Sequence, residues 1–108
     1  MPRGYSPSKK DSNQLSGEKA FIKAGWSVSD THAVGCRLLK DGTAIGALDN
    51  FVAKYDVTIL VEWKVGKSKL NPAETVFYDN WLGEKIIGRT PEQAIADCEK
   101  ILEKYIPF

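Results

Sequence analysis

Two apolar segments, residues 47–54 and 57–64, are separated by only two residues, and this spacing constrains the fold more than any other feature of the chain. Each segment has the length and apolar content of a β-strand within "GALDNFVAKYDVTILVEWK". A two-residue turn at Tyr55-Asp56 would join them as an antiparallel hairpin in which residue 54 faces residue 57. The sequence therefore predicts a sheet built around this hairpin.

Elements before the hairpin are indicated by weaker patterns. A first helix is predicted from Ser12 to its stop at Gly25, with an apolar pattern formed by Leu15, Ala20, Phe21 and Ala24. The alternation in "WSVSDTH" predicts a strand. Within "CRLLKDGTAIGALD", the dipeptide Asp41-Gly42 is a strong turn signal and predicts a small additional hairpin.

Two helices after the hairpin carry explicit start signals. The first begins with Asn71 as cap, Pro72 at the first helical position and Glu74 completing a capping box. Its apolar side is predicted to contain Ala73, Val76, Phe77 and Trp81. A short strand follows in "EKIIGR". The last helix begins with Thr90, Pro91 and Gln93 in the same roles, and its predicted apolar stripe contains Ala94, Ile95, Cys98, Ile101, Leu102 and Tyr105.

These elements define the fold class and the domain organisation. Their order is α-β-β-β-α-β-α, which predicts an α/β or α+β fold around a small mixed sheet. A chain of 108 residues is the size of one domain, and we expect it to span residues 12–108. Residues 1–11 are rich in Pro, Gly, Ser and Lys, so we expect them to form a flexible basic arm.

Composition excludes several functional classes. No apolar run approaches the roughly 18–20 residues that span a bilayer, and no apolar segment of a secretory signal follows the basic N-terminus. We therefore expect a cytoplasmic protein with no membrane partner. Cys36 and Cys98 lack the spacing of a zinc site or of a redox pair. The net charge of +1 does not by itself indicate nucleic-acid binding.

The end of the second hairpin strand carries the residues most suited to chemistry. Glu62 and Lys64 lie two residues apart, so their side chains share one face of the strand. The predicted register places Asp49 opposite Glu62, where two carboxylates would repel each other unless a cation lies between them. A divalent metal bound there would activate water for attack on a phosphodiester. A surface ion pair on an amphipathic strand is the alternative.

The same stretch resembles the catalytic strand pair of the PD-(D/E)XK nuclease superfamily, whose fold is that of restriction endonucleases. More narrowly, the chain is similar to small VRR-NUC and Holliday-junction-resolvase-like nucleases of phages and bacteria. "GALDNFVAKYDVTILVEWK" resembles the strand pair without a gap, and "LNPAETVFYDNWLGEKIIGRTPEQAI" resembles the helix, strand and helix that follow. The similarity covers residues 11 to about 102.

The resemblance implies a site that binds Mg²⁺ or Mn²⁺. Asp49 and Glu62 would be metal ligands, the Trp63 carbonyl a possible third, and Lys64 the catalytic lysine. Three departures from the family pattern stand out: Leu48 replaces the usual Pro, Gln14 takes the place of a first-helix Glu, and residues 37–45 form an insertion. Gln14 could still hold a metal-bound water, and Glu18 lies one turn further along the helix.

The predicted function is that of a metal-dependent DNA endonuclease acting on branched DNA such as Holliday junctions. Phosphate contacts are expected from Lys9, Lys10, Lys67, Lys69 and Arg89, with Arg3 as a further member of the arm. Cutting both strands of a junction would require a homodimer. His32 is expected to be structural or to contact substrate. Two alternatives remain open, a nuclease-fold protein that binds nucleic acid without cutting it and an interaction module.

Overall fold

The computed structural model of the chain describes residues 12–30, 36–38, 44–46 and 50–106. The predicted arm and His32 lie outside these residues. The elements are α1 (Ser12–Lys23), β1 (Ser27–Asp30), β2 (Cys36–Leu38), β3 (Ala44–Gly46), β4 (Asn50–Lys54), β5 (Val57–Trp63), α2 (Pro72–Asn80), β6 (Glu84–Gly88) and α3 (Pro91–Leu102). In the ranges described, no helix has both the length and the apolar character needed to cross a bilayer.

The main sheet has four strands in the order β1-β4-β5-β6. The β1–β4 and β4–β5 pairs are antiparallel, whereas β5 and β6 are parallel and are connected through α2. The sheet is therefore mixed, and the predicted α+β fold with its order of helices and strands is confirmed.

The predicted register of the central hairpin is also confirmed. Lys54 pairs with Val57 at the turn, and Asn50 pairs with Val61 at the far end of β4. Tyr55 and Asp56 both have positive φ, at 53° and 68°. Two successive left-handed residues are typical of the tight turns that join antiparallel strands, and here they occur without the favoured glycine.

The second hairpin forms where the Asp41-Gly42 signal predicts it. β2 and β3 pair antiparallel, with Cys36 opposite Gly46 and Leu38 opposite Ala44. The turn residues themselves lie outside the described part of the chain. β3 contacts α2, so this hairpin borders the face of the main sheet that α2 covers.

One face of the main sheet, here called the core face, packs against α1 and α3. Its buried residues include Val52, Ile59, Val61 and Trp63 from the strands and Phe21, Ala94, Cys98 and Leu102 from the helices. Phe21 makes edge-on ring contacts with Trp26 and Trp63. Burial, together with the charges of Asp97 and Glu99, raises the pKa of the Cys98 thiol to about 12. The predicted place of Cys98 on the buried stripe of α3 is confirmed, and Trp63 is a core residue as well.

The other face, here called the α2 face, has a smaller apolar cluster. Leu60 and Phe77 are buried, with the partly buried Phe51, Tyr78 and Trp81 around them. Lys85 on β6 donates to the carbonyls of Tyr78 and Trp81, at 2.7 and 3.3 Å. A cation at this position complements the partial negative charge of a helix C-terminus.

Both predicted capping boxes are present, at Asn71 and at Thr90. The predicted apolar sides are partly wrong. Ala73 and Val76 are exposed, because α2 meets the sheet mainly through Phe77. Tyr105 lies beyond the end of α3 and is exposed, and its hydroxyl donates to Glu84.

The predicted apolar pattern of α1 is wrong at two of its four positions. Leu15 is 46% exposed and Ala24 is exposed, whereas Phe21 is fully buried. The stripe that α1 buries consists of Gln14, Gly17, Glu18 and Phe21. A Cβ at Gly17 would lie 2.3 Å from the Trp63 ring, so the glycine lets the indole pack directly against the helix.

Candidate active site

Glu62 and Lys64 lie together on the α2 face at the end of β5. Trp63, between them, is buried on the core face, so alternation along the strand places its two neighbours on the opposite side. The Lys64 N–H donates to the Gly88 carbonyl at 2.9 Å, which continues the β5–β6 pairing past Trp63. Glu62 is only 1% exposed. The predicted sharing of one face by Glu62 and Lys64 is confirmed.

The ammonium of Lys64 lies between two carboxylates. Its Nζ is 2.8 Å from Oε1 of Glu74 and 3.6 Å from Oε2 of Glu62. Glu74 belongs to the first turn of α2, where its side chain also accepts the Asn71 backbone N–H at 2.9 Å. Sequence reasoning assigned Glu74 to the capping box alone. The missed signal is the short stretch of chain between Lys64 and the next helix, because the first turn of a helix that starts there can lie over the same face of the sheet.

The charges of this cluster shift one another's titration. Burial raises the pKa of the Glu74 carboxyl, but hydrogen bonds from the Lys64 ammonium and the Asn71 backbone N–H outweigh burial, so the pKa lies below its ordinary value. Burial lowers the pKa of the Lys64 ammonium, but the bond to Glu74 and the charges of Glu74 and Glu62 raise it above its ordinary value. Both groups are therefore charged at neutral pH.

Asp49, the predicted partner of Glu62, lies outside the described residues. The hairpin register is described as far as the Asn50–Val61 pair. One further step of the same antiparallel pairing would join residue 49 to residue 62. The placement of Asp49 opposite Glu62 therefore stays a prediction, and it now follows a register that is confirmed up to the adjacent pair.

Gln14 is part of a buried polar network on the core face. Its side-chain amide donates to Oε2 of Glu18 at 3.1 Å, and the Asn50 amide donates to the same oxygen at 2.8 Å. Oδ1 of Asn50 in turn accepts the Trp63 indole N–H at 2.8 Å. The network connects α1 to the two central strands. The role of Gln14 in holding a metal-bound water stays a prediction.

The first turn of α1 lies at the carboxyl ends of β5 and β6. The Asn13 side-chain amide donates to the backbone carbonyls of Lys64 and Arg89, at 3.3 and 3.2 Å. This contact brings the start of α1, and with it the position of Gln14, to the same end of the sheet as Lys64.

Among the predicted phosphate-binding residues, Arg89 has a clear structural task. Its guanidinium donates to the carbonyls of Gly66 and Ser68, at 2.9 and 2.7 Å. Arg89 thereby fastens the loop that carries Lys67 and Lys69, both of which are exposed. The loop follows Lys64 directly, so its two exposed lysines lie beside the candidate site. Lys9 and Lys10 lie outside the described residues.

The donor chemistry fits a hard divalent cation. Carboxylate oxygens are the ligands that Mg²⁺ prefers, and here two carboxylates converge on the Lys64 ammonium, a positive charge supplied by the chain itself. Within residues 12–30, 36–38, 44–46 and 50–106, no group of three or more His, Cys, Asp or Glu side chains could hold a metal ion. A complete ligand set therefore depends on Asp49.

Comparisons with known proteins give no relatives for this chain: no family model matches it, no curated protein matches it and no solved structure matches it.

Proposed function

We propose that the chain is a metal-dependent endonuclease that hydrolyses phosphodiester bonds of branched DNA in the cytoplasm of a bacterial or phage-infected cell. The observation that carries the proposal is the end of the β4–β5 hairpin. There the buried Glu62 and the partly buried Lys64 share one face, and Nζ of Lys64 lies 3.6 Å from the Glu62 carboxylate. The hairpin register, continued by one pair, would place Asp49 beside them.

Each side chain has a distinct task in this reaction. Asp49 and Glu62, with the Trp63 carbonyl, would hold Mg²⁺ or Mn²⁺, which supplies a water of lowered pKa and positive charge beside the phosphate. Lys64 orients the attacking water and stabilises the charge that develops on the phosphoryl oxygens. Attack by water on phosphorus breaks one ester bond and leaves a phosphomonoester and a hydroxyl group.

Exposed lysines support binding to DNA. Lys67 and Lys69 lie on the loop that Arg89 fastens next to the site, where they would contact backbone phosphates and position the substrate. Replacing both lysines with Ala should weaken binding to all DNA sequences alike and lower the slope of log affinity against log salt by about 2. Two copies of the chain would be needed to cut opposite strands of a junction, so we propose a homodimer.

The test is cleavage of four-way junction, flap, duplex and single-stranded DNA by purified protein with Mg²⁺, Mn²⁺ or chelator. We expect at least one substrate to be cut, and we expect chelator, Asp49→Asn and Lys64→Ala each to reduce the rate by about 10²-fold or more. Asp56→Asn on the hairpin turn and Lys104→Ala after α3 are matched controls that should cut normally. Equal cutting by the wild type and Asp49→Asn would refute the proposal.

A second candidate is a nuclease-fold protein that binds DNA without cutting it. The observation that favours it is the amide of Gln14, a neutral group in place of the family's carboxylate, buried and bonded to Glu18. Such a protein would slow the migration of DNA in a gel and give no product with either metal. A plain interaction module is the remaining alternative, and there Asp49→Asn would leave every measurable activity unchanged.

A further inference from the structure

Lys64 is bound unequally by its two carboxylates. The 2.8 Å contact with Glu74 is a short, charge-assisted hydrogen bond, whereas the 3.6 Å contact with Glu62 is longer than a hydrogen bond. The Lys64 ammonium is thus bound mainly by Glu74 on α2, and its contact with Glu62 on β5 is the weaker one. A group that bound Glu62 would therefore disturb only the weaker of the two contacts of Lys64.

Glu74 is itself held firmly. Its backbone N–H donates to Oδ1 of Asn71 at 2.8 Å, and its side chain accepts the Asn71 N–H. Phe77, one turn further along α2, is buried against Leu60 on β5 and fixes the helix on the sheet. The capping box and the packing of α2 therefore hold the Glu74 carboxylate in addition to its contact with Lys64.

Glu62 differs from Glu74 in its environment, because it is almost fully buried on a central strand. A carboxylate removed from water requires compensating charge or hydrogen bonds. Lys64 supplies part of this charge. A divalent cation at Glu62 would supply more, and it would repel the ammonium at the same time.

We propose that Glu74 is a positioning residue of the site, whose carboxylate retains Lys64 so that a divalent cation can take Glu62. The inference rests on the proposed function and deepens it. Lys64 and the metal compete for Glu62, and Glu74 biases this competition toward the metal by giving the ammonium a second anchor. Lys64 then remains beside the metal instead of leaving the site.

Binding of Mn²⁺ in the absence of DNA, followed by the loss of its free-ion EPR signal, tests the inference separately from catalysis. Four proteins form a double-mutant cycle: wild type, Glu74→Gln, Lys64→Met and the double variant. Glu74→Gln should weaken Mn²⁺ binding about tenfold, because Lys64 then keeps, among the described carboxylates, its contact with Glu62 alone. Lys64→Met should bind Mn²⁺ more tightly than wild type, and adding Glu74→Gln to it should change little.

Each result has one interpretation. A loss of affinity from Glu74→Gln that is the same with and without Lys64 would make Glu74 a metal ligand and overturn the inference. No loss from Glu74→Gln would overturn it as well. Absence of Mn²⁺ binding by the wild type would instead refute the proposed function, and the inference with it.

Two further proteins control for stability and for general electrostatics. Glu84→Gln removes another carboxylate–lysine pair, formed with Lys104 at 3.1 Å on the core face, and should leave Mn²⁺ binding unchanged. Gln at position 74 preserves the capping box, since Gln also fits this position. Circular dichroism should therefore show wild-type helix content in Glu74→Gln, and a folded variant with unchanged Mn²⁺ affinity would count against the inference.

Discussion

The two faces of the central hairpin each bury a carboxylate, and they treat it differently. On the core face, Glu18 accepts hydrogen bonds from the neutral amides of Gln14 and Asn50. On the α2 face, Glu62 lies beside the Lys64 ammonium. Amides fixed within a packed network hold a carboxylate in place, whereas a lysine on a flexible stem can be exchanged for another cation. The core face thus binds its carboxylate through neutral donors, whereas the neighbour of the carboxylate on the α2 face is a cation, and the proposed metal site depends on this difference.

The largest expected effect compares one phenylalanine from each face. Phe21→Ala should lower the free energy of unfolding by about 4 kcal/mol, because Phe21 is fully buried among Trp26 and Trp63. Phe77→Ala should cost about 2–3 kcal/mol, since its smaller cluster is more open to relaxation. Urea denaturation followed by fluorescence measures both values. Equal costs would show that the two faces contribute alike to stability.

The polar network of the core face can be tested by removing its central amide. Asn50→Ala removes the acceptor of the Trp63 indole N–H and a donor to Glu18, so we expect a loss of about 2–3 kcal/mol in the free energy of unfolding. Thr58→Ala, at an exposed position of the same hairpin, should change stability by about 0.5 kcal/mol or less. If both variants unfold at the same urea concentration, the network does not stabilise the fold.

The capping boxes of α2 and α3 separate stability from site geometry. Asn71→Ala and Thr90→Ala each remove the side-chain acceptor at a helix start and should each cost about 1 kcal/mol in the free energy of unfolding. The cap at Asn71 also holds Glu74, so Mn²⁺ affinity should fall in Asn71→Ala and stay at the wild-type value in Thr90→Ala. A parallel fall in both variants would mean that lost stability, and not the position of Glu74, determines binding.

The smallest effect is expected at Glu84. The hydrogen bond from Tyr105 lowers the pKa of the Glu84 carboxyl most, burial opposes this, and Lys104 lowers the pKa further. A lowered pKa means that the contribution to stability is present above the ordinary value of 4.5 and is lost as the pH falls through the folded-state value. Glu84→Gln should therefore be less stable than wild type by at most about 1 kcal/mol at pH 7. The two urea midpoints should converge in acid, and a constant difference would contradict this account.

Sequence reasoning succeeds where the determining contacts are local. The capping residues Asn71 and Thr90 act on the next turn of chain, and the hairpin register follows from a two-residue turn. Both were therefore predictable, as was the shared face of Glu62 and Lys64.

It fails where the partner is distant in sequence. Glu18 is buried where it accepts hydrogen bonds from Gln14 and from the distant Asn50, and Asn50 in turn accepts the Trp63 indole N–H. Hydropathy alone predicts residues such as Gln14 and Glu18 to be exposed. Hydropathy also predicts that the apolar Leu15 is buried, whereas the structure exposes it. The contact between Glu74 and Lys64 likewise depends on where α2 packs, which a capping signal does not specify.

The separate origin of Glu74 has a consequence for how the site can evolve. Glu62 and Lys64 belong to one strand, and the hairpin that carries them is held by its own pairing. Glu74 arrives on a different element, joined to the strand by an exposed loop, and loops of this kind tolerate changes in length at small entropic cost. Mutations in that loop can therefore retune how the lysine is anchored while the hairpin stays intact, so selection can adjust the two parts independently.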